Sequence, residues 1–280
     1  MDRIPDAIDL LSPLRGPISW ACQKGWLPIE IRRVLPWRWS LQPFTLYGDG
    51  WECRWFPTEF DDIARVVFWS GFRRWERETA PVIIEHLKSS RCFVDVGANC
   101  GIYTVAGAVV NPALRIIAIE PVPKIMEALA NNVRRNGIAD RVTLVSNAIG
   151  NRDGVVDFHM AENPLMGSLN AAGYKGQSGT VITVECRRLD GVIDELGARP
   201  DFIKIDVEGF EDAVLEGAGN TLQKFRPHLV LEANPGDPCT HMTELLRRHR
   251  YTMNLITEAG PLRREEIVAD ERYRNWLCAP

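Results

Sequence analysis

The sequence predicts an α/β fold: a mostly parallel sheet of seven strands with helices on both faces, preceded by a tryptophan-rich N-terminal subdomain. Two observations carry this expectation. From Arg91 onward, short apolar runs alternate with amphipathic stretches, the pattern of buried parallel strands covered by helices. Before that point, eight of the nine tryptophans (20, 26, 37, 39, 51, 55, 69 and 75) crowd the first 80 residues, where Pro28, Pro36, Pro43 and Pro57 also break the chain.

Taken in order, Phe44 to Tyr47 and Trp51 to Phe56 read as strands flanking the turn Gly48-Asp49-Gly50. Ile63 to Lys88 has helical spacing, interrupted at Pro81. Strands follow at Cys92 to Val96, Arg115 to Glu120, Val142 to Asn147, Phe202 to Asp206 and His228 to Glu232. Helices are expected between them at Ile102 to Val110, Pro123 to Asn136, Leu189 to Leu196 and Glu211 to Gly217. The order is βαβαβ, an interruption, then αβαβ. The interruption, residues 154–188, has β-rich ends around a Gly/Asn/Ser-rich centre and reads as an inserted hairpin with a long loop. Tyr251 to Ile256 and Asn275 to Ala279 add edge strands. The expected division is therefore 1–80, the tryptophan-rich segment, and 81–280, the α/β domain, with the hairpin 154–188 inserted.

Composition narrows the function classes. A chain of 280 residues, 45% hydrophobic and 25% charged, is ordinary for a globular protein. A net charge of -4 gives no basic field for nucleic acid, so a small-molecule partner is expected. Arg32, Arg33, Arg38, Arg73, Arg74 and Arg77 make the N-terminal segment locally basic, which fits either an anionic acceptor, a membrane surface or a solvated face. Seven cysteines without a CxxC pair indicate neither a disulfide framework nor a zinc ribbon, and a reducing cytoplasm fits best. There is no run of about 18 apolar residues to span a membrane. The oligomeric state is left open, a homodimer included.

Open α/β sheets bind ligands at the carboxyl ends of their strands, near the point where strand order reverses. The polar residues at those ends are Asp95 with Gly97, Asn99 and Gly101 after the first strand, Glu120 after the second, Asn147 after the third, and Asp206 with Glu208 after the fourth. Gly97 and Gly101 let the backbone turn tightly and approach a ligand. A dinucleotide loop would read GxGxxG, to seat a pyrophosphate on the helix N-terminus. Here the spacing is GxxxG, with an acid two residues ahead, which suits a cofactor ending in an amino acid whose ammonium the acid helps to hold. Glu120, 25 residues after Asp95, can accept hydrogen bonds from both ribose hydroxyls. Together these features favour S-adenosylmethionine over NAD.

The segments VDVGANCGIYT, IAIEPVP, VSNAIG and FIKIDVEGFE, in that order, resemble the FkbM family of methyltransferases over roughly Phe72 to Asn234. The resemblance implies a Rossmann-like class I methyltransferase fold and transfer of a methyl group to a hydroxyl oxygen, often of a sugar or a natural-product scaffold. It implies that Asp95, Gly97, Asn99 and Gly101 surround the methionine end, Glu120 the ribose, and Asn147 and Ala148 the adenine. Asp206, Glu208 and Gly209 fall in the family's acidic motif at the active-site mouth. Asn234 stands where many relatives carry a histidine, which puts the acceptor site in doubt.

Methyl transfer from a sulfonium is an in-line displacement, so the enzyme must align the acceptor oxygen and remove its proton. Asp206 and Glu208, two apart on an extended strand end, can point to one side and share a proton or bind a cation. The alternative is that they cap the next helix, whose start Glu211 and Asp212 are expected to decorate. No metal is expected, because no third ligand stands beside the pair. His159 is a candidate base, or structural; Glu232 ends strand five, where an acceptor can reach it; Ser168 touches the cofactor or acceptor, or makes a plain turn. The tryptophans form a platform for a ring, or simply pack the subdomain. Three rivals remain: a methyltransferase for nitrogen or a macromolecule, a cofactor-binding interaction protein without activity, and a nicotinamide oxidoreductase. IDVEG in place of an NPPY-like tetrapeptide, the intact acids and the absent GxGxxG respectively oppose them.

Overall fold

A computed structural model describes residues 13–28, 30, 35, 37–59, 61–160 and 180–280. In chain order the elements are α1 (Arg15–Gln23), β1 (Phe44–Tyr47), β2 (Glu52–Trp55), α2 (Asp62–Ser70), α3 (Thr79–Ser89), β3 (Cys92–Val96), α4 (Ile102–Val110), β4 (Arg115–Ile119), α5 (Pro123–Arg135), β5 (Val142–Val145), β6 (Ala148–Gly150), β7 (Gly154–Met160), β8 (Thr180–Arg188), α6 (Leu189–Glu195), β9 (Phe202–Ile205), α7 (Glu211–Gly217), α8 (Gly219–Phe225), β10 (His228–Glu232), α9 (Cys239–Arg248), β11 (Thr252–Thr257), β12 (Gly260–Arg264) and β13 (Asn275–Ala279).

The main sheet runs β12-β11-β13-β10-β9-β3-β4-β5. Its five central strands, β10, β9, β3, β4 and β5, are parallel, and β13 enters antiparallel between β10 and β11. This is the Rossmann-like class I methyltransferase layout with one strand more than the expected seven. The eighth, β12, pairs antiparallel with β11. Pro261 and the exposed Arg263 and Arg264 disguise it as a loop in sequence. A proline is tolerated there because β12 is an edge strand, and the charges discourage pairing with a further strand.

The alternation of the central strands assigns the two faces. Phe93, Ile116, Phe202 and Val230 point to the side covered by α3, α4 and α5. Val94, Ile117, Ile203 and Leu229 point to the side covered by α6 to α9. Of these helices, α8 and α9 were not anticipated. Gly217 and Gly219 read as chain breaks, yet Ala218 links α7 directly to α8.

The N-terminal segment joins the first core. Trp39, Leu46, Trp55 and Phe68 are buried in one cluster with Phe93 and Val105. Burying a side chain of this size contributes about 1.5–3 kcal/mol, so this packing anchors the segment firmly. Trp55 also donates its indole N–H to Asp61 at 2.7 Å, and Asp61 caps α2 through the Ala64 N–H. The expected helix break at Pro81 is displaced: α2 ends at Ser70 and Pro81 sits in the first turn of α3, where a missing N–H costs nothing. Backbone N–H groups of Arg54 and Phe56 donate to Asn136 and Asn132 of α5, tying this layer to the sheet's helices.

Strands β7 and β8 pair antiparallel, and β6 runs parallel to β8 in a separate three-stranded sheet. His159 falls on β7. Ser168, Arg32 and Arg33 lie outside the described residues. Among the described residues, no helix is long and apolar enough to cross a membrane.

Candidate active site

Strand order reverses between β3 and β9, where Asp95 and Lys204 are register partners. A cavity of about 220 Å³ opens above the carboxyl ends of these strands. Gly97, Asn99, Glu120, Asn147, Ala148, Asp206 and Glu208 all line it, as the sequence suggests. Asp95 and Gly101 do not.

Each position has a local cause. Gly97 has φ 77°, and a Cβ there would lie 1.8 Å from the Asp206 carbonyl oxygen, so only glycine lets the β3 turn pass so close to β9. Gly101 has φ 90° and starts α4; a Cβ there would press on the Leu129 side chain. Asp95 is 1% exposed, and its Oδ2 accepts from the Thr104 hydroxyl at 2.7 Å while its Oδ1 has no hydrogen-bond partner among the described residues. Burial raises its pKa, with Lys204 acting in the opposite sense.

Glu120 spreads its carboxylate between two backbone donors: Asn99 N–H at 3.1 Å and Val122 N–H at 2.9 Å. Burial lifts its pKa to about 7, although both donors favour its ionised form. Its carboxylate thus links the turn after β3 with that after β4 at the wall of the cavity. Val122, Ile125, Ala148 and Phe158 supply an apolar part of the wall.

The acidic motif departs from the extended geometry expected of it. Strand β9 ends at Ile205, and Glu208 has φ 55°, so a turn rather than strand alternation aims its side chain. That turn is held by Glu211, fully buried, which accepts from the N–H groups of Val207 at 2.9 Å and Gly209 at 3.0 Å. Glu211 therefore braces the turn ahead of α7, and no side chain caps that helix among the described residues. Asp212 pairs with His241 at 3.0 Å.

The turn gathers what the sequence kept apart. Carboxylate oxygens of Asp206, Glu208 and Glu232 lie within 4.8 Å of one another. The third oxygen ligand that the sequence failed to offer is thus supplied by β10, so the ground for expecting no metal is removed. Burial and the neighbouring acids, Asp206 first, raise Glu208 to about 9 and Glu232 to about 8. The Asn234 amide donates to Glu232 at 2.9 Å, giving this residue a positioning contact where a histidine was expected.

Three residues missed in the sequence complete the site. Lys204 is buried in β9, its Nζ 2.9 Å from Asp206 and 5.5 Å from the centre of the Tyr103 ring. Burial works against its charge, yet Asp206, Asp95 and Glu76 together hold its pKa above the usual value. Tyr103 donates its hydroxyl to Glu76 at 2.6 Å. Glu76 and Trp75, from the N-terminal segment, line the cavity beside them. Burial pushes Glu76 to about 7, with Lys204 lowering it. A lysine inside the apolar run Phe202-Ile203-Lys204-Ile205 was a readable signal, since a buried ammonium requires a counter-ion. Nothing in the sequence linked Glu76 to the strand ends.

The model of the FkbM methyltransferase domain matches residues 95–253, more than half of the chain. The chain belongs to the FkbM methyltransferase family. Among relatives in this family's company, the chain is 31% identical over 153 residues to the 2-O-methyltransferase NoeI of Sinorhizobium fredii, covering 50% of this chain and 62% of that protein. It is 24% identical over 236 residues to the hexuronic acid methyltransferase AglP of Haloferax volcanii, covering 83% of this chain and 90% of AglP. It is 30% identical over 195 residues to the 31-O-demethyl-FK506 methyltransferase FkbM of Streptomyces tacrolimicus, covering 60% and 74%. A solved FkbM methyltransferase from Methylobacillus flagellatus aligns with 21% identity and a TM-score of 0.45, over 68% of this chain and 44% of that one.

Proposed function

We propose that this FkbM-family chain is an S-adenosylmethionine-dependent O-methyltransferase acting on a hydroxyl of a small molecule, a sugar or a natural-product scaffold. The observation that carries the proposal is the ring of carboxylates, Glu76, Asp206, Glu208 and Glu232, around the single ammonium of Lys204 at the strand switch point. A ligand that carries both a sulfonium and an ammonium favours the ionised forms of these acids and is attracted by them in turn. The names of NoeI, AglP and FkbM, two of which specify a methylated oxygen, support the acceptor chemistry.

The residues present fit this cofactor. The Gly97 turn forms a cradle that a Cβ would fill, and the apolar wall of Val122, Ile125, Ala148 and Phe158 suits a purine. Glu120 would hold the ribose hydroxyls, Asn147 and Ala148 the adenine, and Gly97, Asn99 and Gly101 the turn around the methionine end. Asp95 would fix Thr104 and add negative potential. When bound, S-adenosylmethionine supplies a methyl group activated by the sulfonium; the products are the methyl ether, S-adenosylhomocysteine and one proton.

The chain's own task is to orient the acceptor hydroxyl and take that proton. Asp206, fixed by Lys204, is the proton acceptor. Glu208 and Glu232 retain protons at neutral pH and can donate hydrogen bonds to the acceptor's oxygens. Calorimetry with S-adenosylmethionine, S-adenosylhomocysteine and NAD is the test. Micromolar binding of the first two and none of NAD is expected; binding of NAD alone would return the nicotinamide reading.

A further inference from the structure

A second cavity, about 210 Å³, lies beside the first. Its walls come from four stretches distant in sequence: Glu76 to the start of α3, Glu232 at the end of β10, Ile256 of β11, and Arg272 to Asn275 leading into β13. Glu76 lines both cavities. Glu208 belongs to the first and Glu232 to the second, and their carboxylate oxygens lie within 4.8 Å. The boundary between the cavities is therefore made of Glu76, Glu208 and Glu232, and the proposed proton acceptor Asp206 lines the first cavity with its carboxylate within 4.8 Å of those of Glu208 and Glu232.

We infer that the second cavity binds the acceptor and that it takes a polyhydroxylated, sugar-like molecule. This rests on the proposed methyltransferase activity. In-line transfer requires the acceptor oxygen and the methyl carbon to meet with the base in reach. A molecule in the second cavity would lie next to one in the first across this carboxylate boundary.

The lining chooses the chemical class. Carboxylates of Glu76 and Glu232 accept hydrogen bonds, while guanidinium and amide groups of Arg272, Arg274 and Asn275 donate them. Arg274 donates to the Asn234 carbonyl at 3.1 Å, and the Asn234 amide donates to Glu232 at 2.9 Å, so a hydrogen-bonded chain runs from the rim to the boundary. A hydroxyl both donates and accepts, and a ring of several hydroxyls satisfies both kinds of wall. An apolar scaffold would strip water from these groups and return nothing.

The test uses the full chain saturated with S-adenosylhomocysteine. Methyl glucoside, methyl glucuronide and, as an apolar control, cyclohexanol are titrated by ligand-observed NMR. At least one glycoside is expected to bind and cyclohexanol not to. Arg272→Ala with Arg274→Ala, both on exposed side chains, and separately Glu76→Gln, are each expected to weaken the glycoside about tenfold, leaving S-adenosylhomocysteine affinity within about twofold for the arginine pair. Undiminished glycoside binding in these variants, or no glycoside binding by a protein that binds S-adenosylhomocysteine, overturns the inference and leaves the methyltransferase reading standing. Failure of the folded protein to bind S-adenosylhomocysteine overturns both.

Discussion

The ammonium of Lys204 lies 2.9 Å from the Asp206 carboxylate, two residues along the same chain, and directly across β3 from Asp95. This one cation stands between acids that would otherwise repel. Replacing it with methionine leaves Asp206, Asp95 and Glu76 uncompensated. Lys204→Met should cost roughly 2–4 kcal/mol, below the range for a fully buried pair because the Asp206 side chain keeps 30% exposure. Urea unfolding of the variant measures this, and a loss under about 1 kcal/mol would show that the pair is not structural.

Asp206→Asn keeps the side chain's shape and removes the proton acceptor. Turnover should fall about 100-fold or more, the usual scale of general-base loss, while the fold persists. Full turnover in this variant on a methylated acceptor would remove Asp206 from its assigned role. Glu208→Gln, which still donates a hydrogen bond, should retain much more activity than Asp206→Asn.

Gly97→Ala forces a Cβ against the Asp206 carbonyl in a left-handed backbone. The strain, about 1–3 kcal/mol, must be relieved by separating the β3 turn from β9, so S-adenosylmethionine binding should weaken at least tenfold. Glu120→Gln puts an amide donor against one of the two backbone N–H groups the carboxylate serves. Calorimetry with adenosine should show weaker binding in this variant, because the ribose contact is lost independently of the methionine end.

The acids set a pH dependence whose sign follows from their raised pKa values. Glu76 and Glu120 at about 7, Glu211 and Glu232 at about 8 and Glu208 at about 9 hold protons in the folded protein that the unfolded chain releases near 4.5. Their contribution to stability is complete below that value and is lost as pH rises through about 7 to 9. The melting temperature without ligand should therefore fall over this range. Ionised acids favour the sulfonium cation over the neutral thioether, so the affinity ratio of S-adenosylmethionine to S-adenosylhomocysteine should rise across the same interval. A ratio independent of pH would mean that these acids do not sense the sulfonium.

Much of this was legible before any coordinates. The bounds of β3, α4, α7 and β10 follow from local apolar periodicity and from glycines at turns, both properties of neighbouring residues. The cluster around Gly97 and Glu120 was legible for the same reason, because strand ends in a parallel sheet converge whatever the loops do. Edge strand β12 was not, since an edge needs no apolar alternation. Glu76 escaped because its place depends on how the N-terminal layer lies over α4 and α5.

The sequence by itself determined the order of strands and helices, the glycine turn after β3 and the acids at the strand ends. These are encoded in spacings of a few residues and in the side-chain period of each element. Only the tertiary structure decided that Glu232 joins Asp206 and Glu208, that Glu211 holds the turn carrying Glu208, and that Lys204, Tyr103 and Glu76 close the ring. Those relationships rest on strand register and on a turn with positive φ at Glu208, which bring together groups far apart in the chain and which no local pattern records.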